Sequence, residues 1–405
     1  MIKKRLFISM HYLELGGAEI SLIGLLQALD YSKYEVDLFI HRHQGELMQF
    51  IPKEVNLLPE NPAYASIESP ITETLHKGQL GVAWGRLKAK WRAKKYIPKA
   101  PLKPQYSIFQ YIAQEVEPYL PSLDKYGEYD LAISFLQPHN YVLSKVKAKK
   151  KACWIHTDYT KVEFDAAAEL PVWSTYDHIV SISPDVTCSF LQVFPSLKDK
   201  IVLIENILSL EFVRMRANEM DVSSEMPKRD RTVNVLSVGR FTDAKNYDNV
   251  PDICRRIREK GIDLYWYIIG YGNEELIRKK IQESGMEDHV IILGKRINPY
   301  PYIKACDIYA QPSRYEGKSV TVREAQMLYK PVVVTNYPTA KSQIQNGIDG
   351  VIVPMDNENC AQEIADYIKN TELQQQIIRY LHTHDYGNVA EVQKIDLLIC
   401  NSDIQ

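Results

Sequence analysis

Along most of the chain, short apolar runs of strand length alternate with amphipathic stretches of helical period, a pattern that predicts α/β layers around largely parallel sheets. In the first half Leu6–Ser9, Glu35–Ile40, Leu131–Phe135, Ala152–Ile155 and His178–Ile182 read as strands. In the second half the strands are Val233–Val238, Leu264–Ile269, Val290–Leu293, Ile308–Ala310, Val332–Val334 and Gly350–Val353, separated by helices such as Asn246–Lys260, Asn273–Ser284 and Val320–Leu328. That is the spacing of βαβ crossovers. The polar segment Ser209–Arg231 reads as a linker between the two series. It sets a first domain at 1–207 and a second at 208–372, followed by a helical tail at 373–405 expected to pack back across both.

At 405 residues with 45% hydrophobic positions, the chain is too long for one ordinary core and too apolar for disorder. Its 49 basic against 51 acidic residues give a net charge of −2, which argues against a nucleic-acid protein that works through a whole-surface positive field. The six cysteines form no CxxC pair and no Cys/His cluster at zinc spacing, so neither a structural metal nor a disulfide framework is expected. The basic start Lys3-Lys4-Arg5 precedes an apolar run that His11 and Glu14 break early, and no stretch approaches the ~18 apolar residues that cross a bilayer. A cytoplasmic location is therefore expected.

One segment changes this neutral picture. Lys77 to Lys103 holds nine Lys and Arg residues and no carboxylate, with Trp84, Leu87 and Trp91 interleaved at helical spacing. An aromatic face flanked by cations suits an anionic membrane surface, which would make the protein peripheral at the inner membrane face. The alternative is a basic helix that docks its tryptophans on its own domain.

Candidate chemistry gathers at strand ends. Gly16-Gly17-Ala18-Glu19 follows the first strand, where a glycine pair lets a ligand approach the amides of a helix start; a tight turn would use the same residues. Arg240 and Lys245 follow Val233–Val238 beside Gly239, and two cations there can neutralise a diphosphate. Gly270-Tyr271-Gly272 and Gly294-Lys295-Arg296-Ile297 repeat the turn after the next strands. The densest set runs from Ser313 to Ala325: the amides from Gly317 through Ser319 and Val320 to Thr321 can cradle a phosphate, and Glu316 and Glu324 can accept sugar and ribose hydroxyl bonds. Glu316 could instead pair with Arg314 or Lys318, and Thr321 to Glu324 fits a capping box. His156 ends its strand, where it could orient a sugar or serve only structure.

In their order over about 350 residues these motifs resemble family 4 of the retaining glycosyltransferases, which have the GT-B fold: α/β, two Rossmann-like doubly wound domains facing across a cleft. The resemblance implies that Arg240 and Lys245 bind the donor diphosphate and stabilise the leaving phosphate. Glu316 would contact the donor sugar near the reacting carbon, Glu324 would hold the ribose, and His156 would lie near the sugar hydroxyls. Gly17, Gly239, Gly270, Gly272, Gly317, Ser319, Val320 and Thr321 would line the donor, Arg296 and Ile297 the base, and Gly16 with Gly17 the acceptor. It also implies a nucleotide-diphosphate sugar as co-substrate, a UDP-sugar by family frequency, with no metal or other cofactor. The acceptor would be a glycan or lipid-linked glycan of capsule, exopolysaccharide or lipopolysaccharide assembly. Sugar-nucleotide epimerases and non-catalytic sugar-nucleotide binders share this architecture and remain alternatives. A nicotinamide enzyme would need GxGxxG after the first strand, and Gly16-Gly17-Ala18-Glu19 lacks it.

Overall fold

The computed structural model describes all residues except Met1, Leu15, 97–105, Lys161, Gly317, Lys318 and 401–405. The chain divides into two compact units, Met1–Ile207 with Val389–Gln405, and Leu208–Asn388.

Among the described residues, the first unit holds a seven-stranded sheet of β1 (Lys4–Met10), β2 (Tyr34–Ile40), β3 (Asn56–Leu57), β4 (Tyr129–Ser134), β5 (Ala148–Ile155), β6 (His178–Ser181) and β7 (Ile201–Leu203). The order is β3-β2-β1-β4-β5-β6-β7, and each neighbouring pair is parallel. Leu6, Phe7 and Ile8 are fully buried, because helices cover both faces of such a sheet and its inner strands are apolar on both sides. Two edge strands had no sequence signal: β3 and β7 are two and three residues long, below the length at which periodicity can be read.

The second unit holds β8 (Val233–Val238), β9 (Leu264–Ile269), β10 (Val290–Gly294), β11 (Ile308–Gln311), β12 (Val332–Thr335) and β13 (Val351–Val353), in the order β10-β9-β8-β11-β12-β13 and again parallel. Strand order therefore reverses between β1 and β4 in one unit and between β8 and β11 in the other. In doubly wound sheets this reversal parts the loops at the strands' carboxyl ends and leaves a crevice for a ligand.

One expectation needs correction. Ser209–Arg231 is no linker: Ser209 caps the helix Leu210–Arg216, and Val213, Ala217, Val222 and Met226 are buried in the second unit's core with Leu236 and Tyr309. Its polar composition hid four buried positions spaced too irregularly to read as one helix. The helical segment from 373 contributes to both units. The helix Thr371–Thr383 buries Ile377 and Leu381 in the second unit, whereas Val389–Lys394 and Ile395–Ile399 belong to the first.

Candidate active site

The second unit's site is built on its strand reversal. β8 ends at Val238, and the chain turns through Gly239 and Arg240 into a short 3-10 turn, Asp243–Lys245, closed by Asn246 at φ 59°. Asparagine tolerates this left-handed conformation, and its Nδ2 donates to the Pro312 carbonyl at 2.9 Å. The turn after β8 is thereby tied to the loop after β11. Arg314 adds a second tie, a bidentate pair with Asp248 at 3.0 and 2.7 Å, and its amide donates to the Ala244 carbonyl at 2.8 Å.

These ties bring Lys245 and Glu316 together. Lys245 Nζ donates to Glu316 Oε1 at 2.6 Å, with both side chains largely buried. The carboxylate's partner is thus the lysine across the reversal, not the adjacent Arg314. The same oxygen accepts from Ser313 Oγ at 2.6 Å and Gln311 Nε2 at 3.0 Å, and Thr339 Oγ1 holds the Glu316 carbonyl at 2.9 Å. Four donors on one residue fix the carboxylate in place. Arg240, five residues before Lys245, is exposed and has no carboxylate within ion-pair distance among the described residues.

Sequence reasoning missed Gln311, Thr339 and Asp248, and named Ser313 only as the start of the densest set. A glutamine closing an apolar strand, as Gln311 does after Ile308-Tyr309-Ala310, was the available signal, since a fully buried amide needs partners.

Glu324 lies elsewhere. It is 1% exposed, one turn inside the helix Val320–Met327, and accepts from Tyr300 Oη at 2.7 Å. Burial pushes its carboxyl up to about 7. It forms no capping box, because Ser319 is the N-cap and makes no side-chain cap bond. The helix start is also less open than its sequence suggests: the Ser319 amide donates to Gln343 Oε1 at 3.0 Å. Val320 and Thr321 occupy the first turn, whose amides lack intrahelical partners, while Gly317 lies outside the described residues.

The glycines after β8 and β9 serve close packing. A Cβ on Gly270 would stand 2.0 Å from the Gly239 carbonyl oxygen, and one on Gly239 would stand 2.8 Å from Tyr247 Oη. Gly272, at φ 128°, bridges to Phe241. Arg296, after β10, is held by the Glu225 carboxylate and by Tyr302 Oη at 2.9 Å, and Ile297 beside it is 48% exposed.

In the first unit, Gly16 caps the helix Gly17–Ala28 and carries the Glu19 carboxylate close over its Cα, while Gly17 faces open space. His156 follows β5 and packs on Phe135 at 4.9 Å; among the described residues its buried Nε2 has no hydrogen-bond partner. Burial pushes this imidazole down to about 4. Nearby His139, which the sequence did not single out, bonds Ser134 Oγ at 2.8 Å and is pushed down to about 3 by burial and by His156. Glu169 takes Trp173 Nε1 at 3.1 Å and is pushed up to about 7 by burial. Among the described residues no three His, Cys, Asp or Glu side chains converge as a metal site.

Two doubly wound parallel units make up the GT-B fold. Solved structures cover nearly the whole chain: a glycosyltransferase from Rickettsia africae at TM-score 0.66 and 17% identity over 99% of this chain and 100% of that one. Anabaena Alr3699/HepE in complex with UDP matches at 0.62 and 15% identity over 97% of this chain and 98% of that one. Residues 221–383, within the second unit, match the family described as glycosyl transferases group 1.

Among curated relatives, an N-acetylgalactosamine-N,N'-diacetylbacillosaminyl-diphospho-undecaprenol 4-alpha-N-acetylgalactosaminyltransferase of Campylobacter jejuni is 29% identical over 42% of this chain and 44% of its own length. The amylovoran biosynthesis glycosyltransferase AmsD of Erwinia amylovora is 26% identical over 38% and 44%. The chain thus matches under half the length of these relatives.

Proposed function

We propose that the protein transfers a sugar, with retention at its anomeric carbon, from a UDP-sugar to a glycan or lipid-linked glycan during cell-surface polysaccharide synthesis. The observation that carries this reading is the Lys245–Glu316 contact at the reversal between β8 and β11. Breaking a sugar–phosphate bond develops negative charge on the phosphate and positive charge on the ring. A cation and a carboxylate 2.6 Å apart match that polarity, Lys245 toward the phosphate and Glu316 toward the sugar. Arg240, exposed and without a carboxylate partner among the described residues, is available to the same diphosphate.

In the step, the bond from the anomeric carbon to the diphosphate oxygen breaks with its electron pair staying on phosphate. The acceptor hydroxyl oxygen bonds to that carbon from the same face and passes its proton to the departing phosphate. No metal is assigned a part, and Lys245 and Arg240 carry the charge stabilisation. Support for UDP comes from the Anabaena relative solved with UDP, and support for a lipid-linked acceptor from the name of the Campylobacter enzyme.

The test is a thermal-shift panel of UDP, GDP, ADP and NAD. It is followed by incubation of the matching donor sugars with diphospho-polyprenol glycans, with and without EDTA, and NMR of the product. A selective shift with UDP and a product of retained configuration in both arms is expected. A shift with NAD alone, an inverted product, or turnover abolished by EDTA would overturn the corresponding part of the reading.

A further inference from the structure

The helix Leu80–Tyr96 has two unlike faces. Its inner face is made of small residues: Gly85 lies so close to the helix Ser107–Val116 that a Cβ would stand 2.5 Å from the Glu115 carbonyl oxygen, and Ala89 and Ala93 are buried with Tyr111. At about 100° per residue, the outer stripe of Leu80, Trp84, Leu87 and Trp91 falls within a sector of about 60°. These four are 67%, 46%, 39% and 66% exposed. The protein's other three tryptophans, Trp154, Trp173 and Trp266, are at most 4% exposed. The tryptophans of the basic segment therefore do not dock on their own domain, since alanine and glycine occupy the docked face.

Cations border the stripe on both sides. On the same helical count Lys88 and Lys95 flank one edge and Lys90 and Lys94 the other. The helix itself contains no carboxylate. Glu115 on the neighbouring helix is engaged by Arg92 at 3.4 Å, and Glu73 by Lys77 at 2.7 Å. Lys90, Lys94 and Lys95 are exposed, with no ion-pair partner among the described residues. Amphipathic aromatic rings with an apolar body are at home at the level of lipid headgroups, and lysines beside them are attracted by anionic lipid. A protein partner could cover the apolar stripe alone. A partner surface of dense negative charge over an apolar layer is an anionic bilayer.

We infer that the face of Leu80–Tyr96 bearing Trp84, Leu87 and Trp91 is a docking surface for an anionic lipid bilayer, the helix lying in the plane of the interface. This inference is independent of the transfer reaction, because binding is read without donor or acceptor. The experiment is co-sedimentation of the full chain with vesicles of phosphatidylcholine alone and with added phosphatidylglycerol, paired with tryptophan fluorescence. Binding at least ten-fold stronger to the anionic vesicles is expected, weakened by salt and accompanied by a blue shift.

The variant Trp84→Ser/Trp91→Ser should lose the blue shift. Lys90→Gln/Lys94→Gln/Lys95→Gln should lower anionic binding by more than ten-fold, at about five-fold per cation. No binding to either vesicle, or equal binding to both, would overturn the proposal without recourse to any variant. So would a dimer in solution that the tryptophan variant dissolves while vesicle binding is absent, which would assign the stripe to a second copy.

Discussion

At the residue scale, Glu316 and Glu324 show how two glutamates eight positions apart come to differ. Glu316 is held by Lys245, Ser313 and Gln311 at the strand reversal, a fixed acceptor beside a cation. The substitution Glu316→Gln keeps the size and removes the charge. Its kcat should fall by about 100-fold or more, the scale of losing an electrostatic contact made chiefly in the transition state. UDP affinity should change less than about three-fold, because the residue is assigned to the sugar side; isothermal titration and steady-state kinetics together test this, and equal losses in both would refute the role.

Glu324 instead sits out of water against Tyr300, and its raised carboxyl makes a pH prediction. A carboxyl held at about 7 rather than 4.5 binds its proton more tightly when folded. The stability it contributes is full at low pH and is lost as pH rises through about 7, a difference on the order of 3 kcal/mol. Glu324→Gln cannot ionise and retains an acceptor for Tyr300. The variant's Tm relative to wild type should therefore rise between pH 5 and pH 8, while His139 and His156, which titrate in both proteins, cancel from the comparison. A constant difference would contradict the burial of an ionisable Glu324.

At the element scale, what could be read from sequence was whatever one strand or one helix states by itself. Val233–Val238 and Leu264–Ile269 match β8 and β9 residue for residue, because both are long, apolar and buried on two faces. Glu316 was recognisable as a candidate site residue from its place in a loop after a strand. Its partner was not, because Lys245 is 71 positions away and only the β8–β11 pairing brings the two turns together.

The glycine turns were legible as turns, yet their physical reason is mutual packing. The Gly239–Gly270 approach leaves no room for a methyl group. Gly270→Ala would set a Cβ 2.0 Å from backbone, not from a movable side-chain tip. The strand ends must separate, so we expect a loss of about 2–3 kcal/mol, the upper range for overpacking in a tight core. UDP affinity should weaken as well, since Gly239 precedes Arg240. Denaturant unfolding and titration calorimetry would measure both, and a variant of unchanged stability would show that the two turns have slack the structure does not display.

At the scale of the whole molecule, the chain passes between its two units twice, at Ile207/Leu208 and at Asn388/Val389. The second crossing delivers a short segment that completes the first unit. Ile395 and Leu398 are buried there, Asp396 accepts from Tyr34 Oη, Glu391 accepts from the Glu205 amide at 3.0 Å, and Lys394 donates to the Leu203 carbonyl at 3.1 Å. Every residue assigned to the nucleotide side of the donor, by contrast, lies in Leu208–Asn388, apart from Gly17.

Ending the chain after Asn388 therefore separates two quantities that single substitutions confound. The first unit loses two buried aliphatic side chains at about 1.5–3 kcal/mol each, before any hydrogen-bond loss. Its stability should drop by about 3–6 kcal/mol, read as a lowered first transition in calorimetry and as early proteolysis within residues 1–207. The second unit keeps Lys245, Glu316 and the helix start at Ser319, so UDP should still bind and still raise the melting temperature of the later transition. Transfer to an acceptor should be lost, since the proposed reading assigns acceptor binding to the first unit. If truncation instead abolished UDP binding while leaving the first unit's melting unchanged, the division of labour between the two units would be the reverse of the one their strand reversals imply.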